Sequence, residues 1–219
     1  MATKRKVNNL LALAVLSVIV ERPMHRYEIA TALKDRGKDR DMDIKWGSLY
    51  TVVQNMAKAN FLEIIGSERD GARPERTIYR ITDAGRAELL DWTRELIAVP
   101  ESEHHRFVAG LSILGVIPPD EVIELLGKRV EALRHSIEAV HRELADIAES
   151  GLPRLFIIET EYGMAMLEAE MAWANSLRAE LVDGTFPMLD EWRRFHADHL
   201  SPSEVTALVE RGMVEKRSS

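Results

Sequence analysis

WGSLYTVVQNMAKANFLEIIGSERDGARPERTIYRIT, residues 46–82, is the stretch that decides the fold. Its first part places apolar side chains at helical spacing, on one face of a short helix; they are Leu49, Val52, Val53 and Met56. Gly47 provides a flexible turn before them, and the Ser48 hydroxyl is expected to cap the first helical turn by accepting from a backbone N–H. Asn60 stands where a residue of left-handed conformation would end the helix. We therefore predict a short helix between Ser48 and Asn60.

The other side of this predicted helix is polar and suits the edge of a base pair. Gln and Asn carry both a donor and an acceptor and can pair bidentately with adenine, and Ser and Thr can serve either role. The polar side is formed by Ser48, Thr51, Gln54, Asn55 and Lys58. The alternative is a face that is merely solvated, which is the usual fate of polar residues outside an apolar stripe.

Two strand-like runs follow, over residues 61–65 and 77–81, and predict a β-hairpin with a turn at Gly71. Three arginines lie between the strands, namely Arg69, Arg73 and Arg76. On a protruding loop, arginines suit phosphate contacts or the minor groove. A short helix, a hairpin with a basic tip and a further helix predict a winged helix-turn-helix with a two-stranded wing. Folds of this shape read the major groove, although some serve as protein-interaction modules.

These motifs resemble the PadR family of bacterial transcriptional regulators. The resemblance rests on Gly47, Ser48, Leu49, Tyr50, Val53, Met56, Asn60, Phe61, Leu62, Arg73, Pro74, Arg76, Tyr79, Thr82 and Gly85, and on the segment MHRYEI at residues 24–29. It covers most of residues 8–90, with the motifs in the family's order. The chain departs from the family pattern at Thr51, Gln54, Asn55 and Asn60. The resemblance implies that Tyr50 contacts the DNA backbone and that the wing arginines help to hold the duplex.

Composition and charge are compatible with this interpretation. A chain of 219 residues, 46% hydrophobic and 30% charged, can bury a sizeable core in one or two domains. The absence of cysteine excludes disulfides, thiolate metal sites and cysteine catalysis, and agrees with an expected cytoplasmic location. The net charge is −7, yet residues 1–85 hold 15 Lys and Arg against 11 Asp and Glu. The basic surplus therefore lies where the winged helix is predicted.

The start of the chain combines a basic segment with an apolar run at residues 10–20, as signal peptides do. The run is too short to span a membrane, and we predict that it is the buried first helix of the winged domain. Lys4, Arg5 and Lys6 could reach a DNA phosphate, but a frayed basic terminus is the commoner explanation. A second helix is predicted over residues 27–33, followed by a solvated loop over 34–43. Trp46 is expected to pack beneath the next helix.

Helices are predicted for the remainder of the chain. A connector helix follows Thr82 and ends at Pro100, a short helix covers residues 107–114, and a long helix runs over about residues 120–150. The apolar positions of the long helix repeat as in a coiled coil; they are Leu126, Val130, Leu133, Ile137, Val140, Leu144 and Ile147. A last helix is predicted over residues 201–214, packed against this coiled coil.

A partner helix after Gly151 carries a stripe of the same rhythm. The stripe is formed by Leu155, Ile158, Tyr162, Ala165, Ala169, Ala172 and Ser176. We predict that it meets the seam of the long helix in an antiparallel coiled coil. Two such helices expose more apolar surface than they cover, so a homodimer is expected. Residues 1–85 are thus assigned to DNA binding and residues 86–219 to helical dimerisation, as in the branch of the PadR family with an extended C-terminal coiled coil.

No enzyme motif is found, and no cofactor or metal is expected. The acidic residues Glu159, Glu161, Glu168 and Glu170 lack a nucleophile, a histidine or a phosphate loop beside them. His196 and His199 alone make an incomplete metal site. The family resemblance implies a small apolar or aromatic effector, and aromatic and thioether groups suit such a ligand. The candidate residues, for each of which core packing is the alternative, are Trp92, Phe107, Tyr162, Met166 and Trp173.

The sequence therefore predicts a dimeric, sequence-specific transcriptional regulator that binds double-stranded operator DNA. By resemblance it is a repressor released by an effector, and activation of transcription remains an alternative. Paired recognition helices of a two-fold dimer would read half-sites about 34 Å apart. The alternative from another class is a winged-helix adaptor that binds a protein and no DNA. An enzyme is excluded by the lack of a catalytic constellation.

Overall fold

The structure, a computed structural model, describes residues 5–42, 44–68, 76–100 and 105–198. The chain forms two compact units, Met1–Glu103 and His104–Ser219. The described elements of the first unit are α1 (Leu10–Ile19), β1 (Met24–His25), α2 (Arg26–Asp35), α3 (Lys38–Asp41), α4 (Leu49–Lys58), β2 (Leu62–Glu68), β3 (Arg76–Ile81) and α5 (Asp83–Ala98). A 3₁₀ turn, Trp46–Ser48, leads into α4.

The three strands form one antiparallel sheet in the order β1-β3-β2. Strands β2 and β3 are the predicted wing, so the winged helix-turn-helix fold is confirmed. The short strand β1 was not predicted; Met24 pairs with Tyr79 and His25 with Ile78. Residues 34–43, predicted as a loop, instead contain the end of α2 and the helical turn α3.

Helix α1 is the central helix of the first unit. The side-chain oxygen of Asn9 accepts a hydrogen bond from Leu11 N at 2.8 Å and caps the helix. Eight of its ten residues are buried, because almost every side chain is apolar, and α1 packs against α2, α4, α5 and β3. The apolar run is therefore the buried first helix that the sequence predicts.

Thr82 fixes the start of α5 against the end of α4. Its Oγ1 accepts a hydrogen bond from Gly85 N at 3.0 Å and donates to the Asn60 carbonyl oxygen at 2.7 Å. Asn60 has a φ of 64°, which confirms the predicted left-handed residue after α4. A Cβ added at Gly85 would overlap the carbonyl oxygen of Phe61, so glycine is required for this close approach.

Helix α5 belongs to the first compact unit. Its residue Trp92 is 4% exposed and lies in the same core as α1 and α4. The sequence predicts that residues after 85 belong to the second domain, whereas the compact units divide between residues 103 and 104. Trp92 accounts for the difference, because its large side chain is buried in the hydrophobic core of the first unit.

The described part of the second unit is helical and contains α6 (Arg106–Ser112), α7 (Pro119–Ser150), α8 (Ile158–Val182) and α9 (Leu189–Ala197). Helix α7 ends at Gly151, whose φ of 72° lies in the left-handed region. Helix α8 then returns along α7. Trp192 of α9 is 8% exposed and donates from Nε1 to the Ile117 carbonyl oxygen at 3.0 Å, which fastens α9 near the start of α7. The predicted helix over 201–214 lies outside the described residues.

The coiled-coil seam of α7 is confirmed, and the stripe predicted for α8 is wrong. Leu126, Leu133 and Ile137 are buried, and the other seam positions of α7 are partly buried. On α8 the apolar side chains that are buried or partly buried are Met164, Leu167, Met171, Ala174, Leu177 and Leu181. They lie one to two positions away from the predicted stripe. That stripe is exposed instead, so one copy of the chain leaves it uncovered.

Candidate nucleic-acid interface

Helix α4 has one buried face and one exposed face, as predicted. Its apolar side chains Leu49, Val52, Val53 and Met56 are all 8% exposed or less. The outward residues include Thr51, Asn55 and Lys58, which are exposed, and Gln54, which is partly exposed. These outward positions are separated by three or four residues, so they form a continuous polar surface along the helix.

Tyr50 stands at one edge of this surface and is 48% exposed. Gln54 Nε2 donates a hydrogen bond to its hydroxyl oxygen at 2.6 Å, one turn further along the helix. The guanidinium of Arg26, the first residue of α2, lies over its ring with Cζ 4.1 Å from the ring centre. Tyr50 is therefore oriented by two side chains, Gln54 of the same helix and Arg26 of α2.

Ser48 does not cap α4 in the predicted manner. Its backbone has a φ of −94° and a ψ of −8°, which is helical rather than extended, and its side chain makes no cap hydrogen bond. The hydroxyl instead donates to the Lys45 carbonyl oxygen at 2.8 Å. The 3₁₀ turn before α4 is the cause, because it continues a helical backbone through Ser48 and turns the hydroxyl away from the free N–H groups.

The wing contributes Arg76 to the described surface, at the start of β3. Its Cζ lies 5.5 Å from the centre of the Tyr27 ring, and Nη1 lies 3.5 Å from His25 Nε2. Tyr27 is itself 69% exposed. Arg76 thus lies beside the start of α2. The other two predicted wing residues, Arg69 and Arg73, lie outside the described residues.

The cations around α4 differ from several other arginines of this unit. Arg22, Arg36 and Arg80 form ion pairs with acidic side chains. Arg26, Lys58 and Arg76, by contrast, have no acidic partner within the described parts of the chain. Their positive charge is therefore available to an anion. Trp46, in the turn before α4, packs partly buried against the core beneath Lys34, as predicted.

Sequence reasoning missed Arg26 as a member of this surface. It occurs within the MHRYEI segment, but its contact with Tyr50 joins residues that are far apart in the sequence. The signal that was available is the capping box at His25 and Glu28, which begins α2 at Arg26 and so fixes where this side chain leaves the helix.

The proposed effector residues are distributed over both units. Trp92 lies in the core of the first unit, with Cζ of Arg5 5.1 Å from its ring centre. In the second unit, the rings of Phe107 and Trp173 meet edge to face, with centres 5.8 Å apart. Tyr162 is 67% exposed and Met166 is 45% exposed, both on the uncovered side of α8.

Arg129 packs against the Phe107 ring of this pair. Its Cζ lies 3.6 Å from the centre of the Phe107 ring, and its Nη2 lies 2.6 Å from Glu170 Oε1. The guanidinium is thus held between a ring and a carboxylate. This arrangement was not predicted from the sequence, because Arg129 lies outside the predicted apolar seam and its charge is typical of a surface residue.

The described ranges contain no group of three or more His, Cys, Asp or Glu side chains that could hold a metal ion. Within them, too, every helix is too short or too polar to cross a membrane.

The arrangement of α2, α4 and the β2–β3 wing defines a winged helix-turn-helix protein. Residues 15–91 match the model of the Transcriptional regulator PadR-like family. This confirms the resemblance seen in the sequence. The comparison with curated proteins gave no match.

Solved structures of similar fold include Bacillus subtilis PadR in complex with operator DNA, with 16% identity and a TM-score of 0.65 over 79% of this chain and 99% of that chain. The complex of Bacillus subtilis PadR with p-coumaric acid gives 16% identity and a TM-score of 0.63 over 79% and 99%. The Vibrio cholerae virulence activator AphA gives 19% identity and a TM-score of 0.56 over 79% and 98%. At these identities the likeness is one of fold.

Proposed function

We propose that this chain is a dimeric, sequence-specific transcriptional regulator that binds double-stranded operator DNA. The observation that carries the proposal is the exposed polar face of α4, bordered by the unpaired cations Arg26, Lys58 and Arg76. A helix of this kind fits the major groove, where amide side chains distinguish base pairs. Such a protein acts where the chromosome is, so we propose a cytoplasmic location.

The side chains of α4 divide into two roles in this proposal. Thr51, Gln54 and Asn55 face the base edges, and the Ser48 hydroxyl, which donates its proton to the Lys45 carbonyl oxygen, accepts a hydrogen bond from a base. Tyr50 and the cations contact the backbone and fix the register of the helix in the groove. Arg69, Arg73 and Arg76 of the wing hold the adjacent phosphates or minor groove.

The dimer is proposed from the uncovered stripe of α8. Ile158 is 50% exposed and Tyr162 is 67% exposed on the side of α8 that faces away from the α7 seam, and Leu155, in the 3₁₀ turn Arg154–Phe156 before α8, is 72% exposed. A continuous apolar stripe of this size is normally covered by a partner. A second copy of the chain covers it with an identical stripe and places two α4 helices on one duplex. The first unit is accordingly assigned to DNA and the second to dimerisation.

An aromatic or apolar effector is proposed to bind the second unit near Phe107 and Trp173. Tyr162 and Met166 remain candidates for the same site because both are exposed on α8. Trp92 is left out of the site, because at 4% exposure its contacts with the core account for it. Bacillus subtilis PadR, similar in fold, has been solved with p-coumaric acid. The effector must bind the DNA-competent and incompetent states unequally to shift their populations.

Repression is the proposed mode of regulation, with release of the operator by the effector. Activation is the second candidate, favoured by the similar fold of the Vibrio cholerae virulence activator AphA. The two modes differ in where the operator lies relative to a promoter. Transcription from a reporter promoter with and without the protein separates them, since a repressor lowers and an activator raises the signal.

The test is binding of the purified full chain to DNA upstream of its own coding region, beside an unrelated duplex, at several salt concentrations. We expect selective and salt-dependent binding that is lost in the variant Tyr50→Ala/Arg76→Ala. The control is Arg36→Ala, which removes a surface arginine that already pairs with Glu21. Equal, salt-insensitive binding of both duplexes would refute the proposal and favour the protein-interaction adaptor.

A further inference from the structure

Arg5 is fixed against α5 rather than frayed. Its side chain is 5% exposed and forms ion pairs with Glu88 at 2.7 Å, with Asp91 at 3.4 Å and with Glu95. Burial alone would lower the pKa of Arg5, but the hydrogen bonds and charges of Glu88 and Glu95 outweigh it and raise that pKa. A buried guanidinium is tolerated only with such partners. Arg5 therefore anchors the N-terminal segment and is not available to DNA.

The anchor places the next residues beside α4. Lys6, Val7, Asn8 and Asn9 form one wall of an open groove, and its other wall is formed by Val52, Asn55, Lys58 and Ala59. Val7 packs against the core, which holds the segment down between Arg5 and the start of α1. The groove thus lies along the edge of α4 opposite to the Tyr50 and Arg26 contact.

The polar groups of this groove match a phosphate. Lys6 and Lys58 are both exposed, and neither has an acidic partner in the part of the chain that the structure describes. Two ammonium groups on one groove repel each other until an anion lies between them. Asn8 and Asn55 add exposed amide donors, whereas Asn9 is occupied in capping α1. Among the described residues that line the groove there is no carboxylate.

We propose that this groove binds a phosphate of the DNA backbone next to the base pairs that α4 contacts. The proposal rests on the proposed function, and it adds Lys6 and Asn8 to the DNA-binding surface. Arg5 is a positioning residue that acts through Lys6. Cations would then border α4 on both edges, with Arg26 at one edge and Lys6 and Lys58 at the other. The DNA backbones on the two sides of the major groove would each meet one set of cations.

The primary test uses Lys6→Ala in the full chain, because Lys6 is exposed and its loss leaves the core intact. Operator and unrelated duplexes are titrated over a range of potassium chloride concentrations. We expect the affinity at low salt to fall about fivefold for both duplexes. The slope of log K against log salt, which is negative, should become less steep by about one. Arg36→Ala, which removes a cation already paired with Glu21, is expected to leave the slope unchanged.

A double-mutant cycle tests the role of Arg5. Arg5→Ala is expected to lower the salt slope as Lys6→Ala does, and to have no additional effect in the Lys6→Ala background. Circular dichroism confirms that each variant is folded before its binding is measured, and a merely structural role of Arg5 would leave the salt slope unchanged.

Three results would overturn the proposal. One is an unchanged affinity and salt slope for Lys6→Ala while Tyr50→Ala/Arg76→Ala has lost binding, which leaves the proposed function intact. Another is a loss of affinity confined to the operator, because a phosphate contact carries no sequence preference. Failure of the unmodified protein to bind any duplex would overturn both the groove and the proposed function.

Discussion

The guanidinium of Arg26 stacks on the ring of Tyr50, with its Cζ atom 4.1 Å from the ring centre. The two residues belong to different helices, so the contact joins the start of α2 to the exposed edge of α4. Gln54 holds the hydroxyl of the same tyrosine at 2.6 Å. The exposed edge of α4 is consequently ordered before any ligand binds, and such preorganisation lowers the entropy lost on binding.

The Arg26→Ala variant should bind operator DNA more weakly and with a smaller salt slope. It removes an unpaired cation and a cation–π contact of about 0.5–1 kcal/mol at an exposed site. Arg26→Lys is the matched control, because it keeps the charge and loses the planar stacking group. Titrations by fluorescence anisotropy measure both effects. Identical binding by Arg26→Ala and the unmodified protein would show that this edge does not contact DNA.

The Gly85→Ala variant should destabilise the winged domain by about 1–3 kcal/mol, the usual effect of overpacking. The added methyl group would overlap the Phe61 carbonyl oxygen and come within 2.9 Å of Ile81 Cγ1. Gly66→Ala is the matched control in the same unit, since a Cβ there meets nothing within 4 Å. Urea unfolding followed by circular dichroism compares the two. Equal midpoints for both variants would contradict the expected clash.

The Leu155→Glu/Ile158→Glu variant should convert the proposed dimer to a monomer. Both side chains are at least 50% exposed in one copy, so the substitutions leave the fold intact but bury unpaired carboxylates in a dimer interface. Sedimentation velocity measures the mass of the particle. The control is Arg142→Glu, which adds an acid at an exposed position of α7. A dimer that persists in the double variant would place the interface elsewhere.

Glu28 should make the stability of the winged domain depend on pH in the acid range. Burial would raise the pKa of Glu28, but hydrogen bonds from the His25 backbone N–H and from Arg22 outweigh it and lower the pKa below its ordinary value of 4.5. The stabilisation is therefore present above the unfolded-state pKa, near 4.5, and is lost as pH falls through the lower folded-state pKa.

The Glu28→Gln variant cannot ionise at this position, so its stability is compared with that of the unmodified protein. The free energy of unfolding of the unmodified protein should exceed that of the variant at about pH 6, and the difference should shrink below the ordinary pKa. Urea unfolding at several pH values follows both proteins. A difference that stays constant over this range would mean that the charge of Glu28 does not stabilise the fold.

Most elements of the first unit, apart from β1 and α3, could be predicted because their signals are local. Helix α4, its left-handed end at Asn60 and the β2–β3 hairpin follow from periodicity and turn residues within a few positions of one another. The contacts that complete the site are not local. Arg5 meets Glu88 across 83 residues, and no pattern in the neighbourhood of Arg5 distinguishes an anchored arginine from a frayed one.

The error on α8 has a different origin. Two stripes on this helix, one through Tyr162 and one through Met164, both carry apolar side chains at spacings of three and four residues. Periodicity alone cannot decide which of them faces α7, because that depends on the length of the turn after Gly151 and on the side chains of α7. Tyr162, which was predicted to lie in the seam, is exposed, whereas Met164 is partly buried against α7.

The anchoring of Arg5 has a practical consequence for anyone who purifies this protein. Only four residues, spanning roughly 14 Å when extended, separate Arg5 from a tag fused before Met1. The start of such a tag cannot lie farther than this from Arg5, the residue before Lys6 in the groove between Lys6 and Lys58. A histidine tag there adds protonated imidazoles below neutral pH and would simulate tighter DNA binding, whereas a bulky or acidic fusion would obstruct the duplex. The affinity handle therefore belongs at the C-terminus, or must be cleaved before any titration.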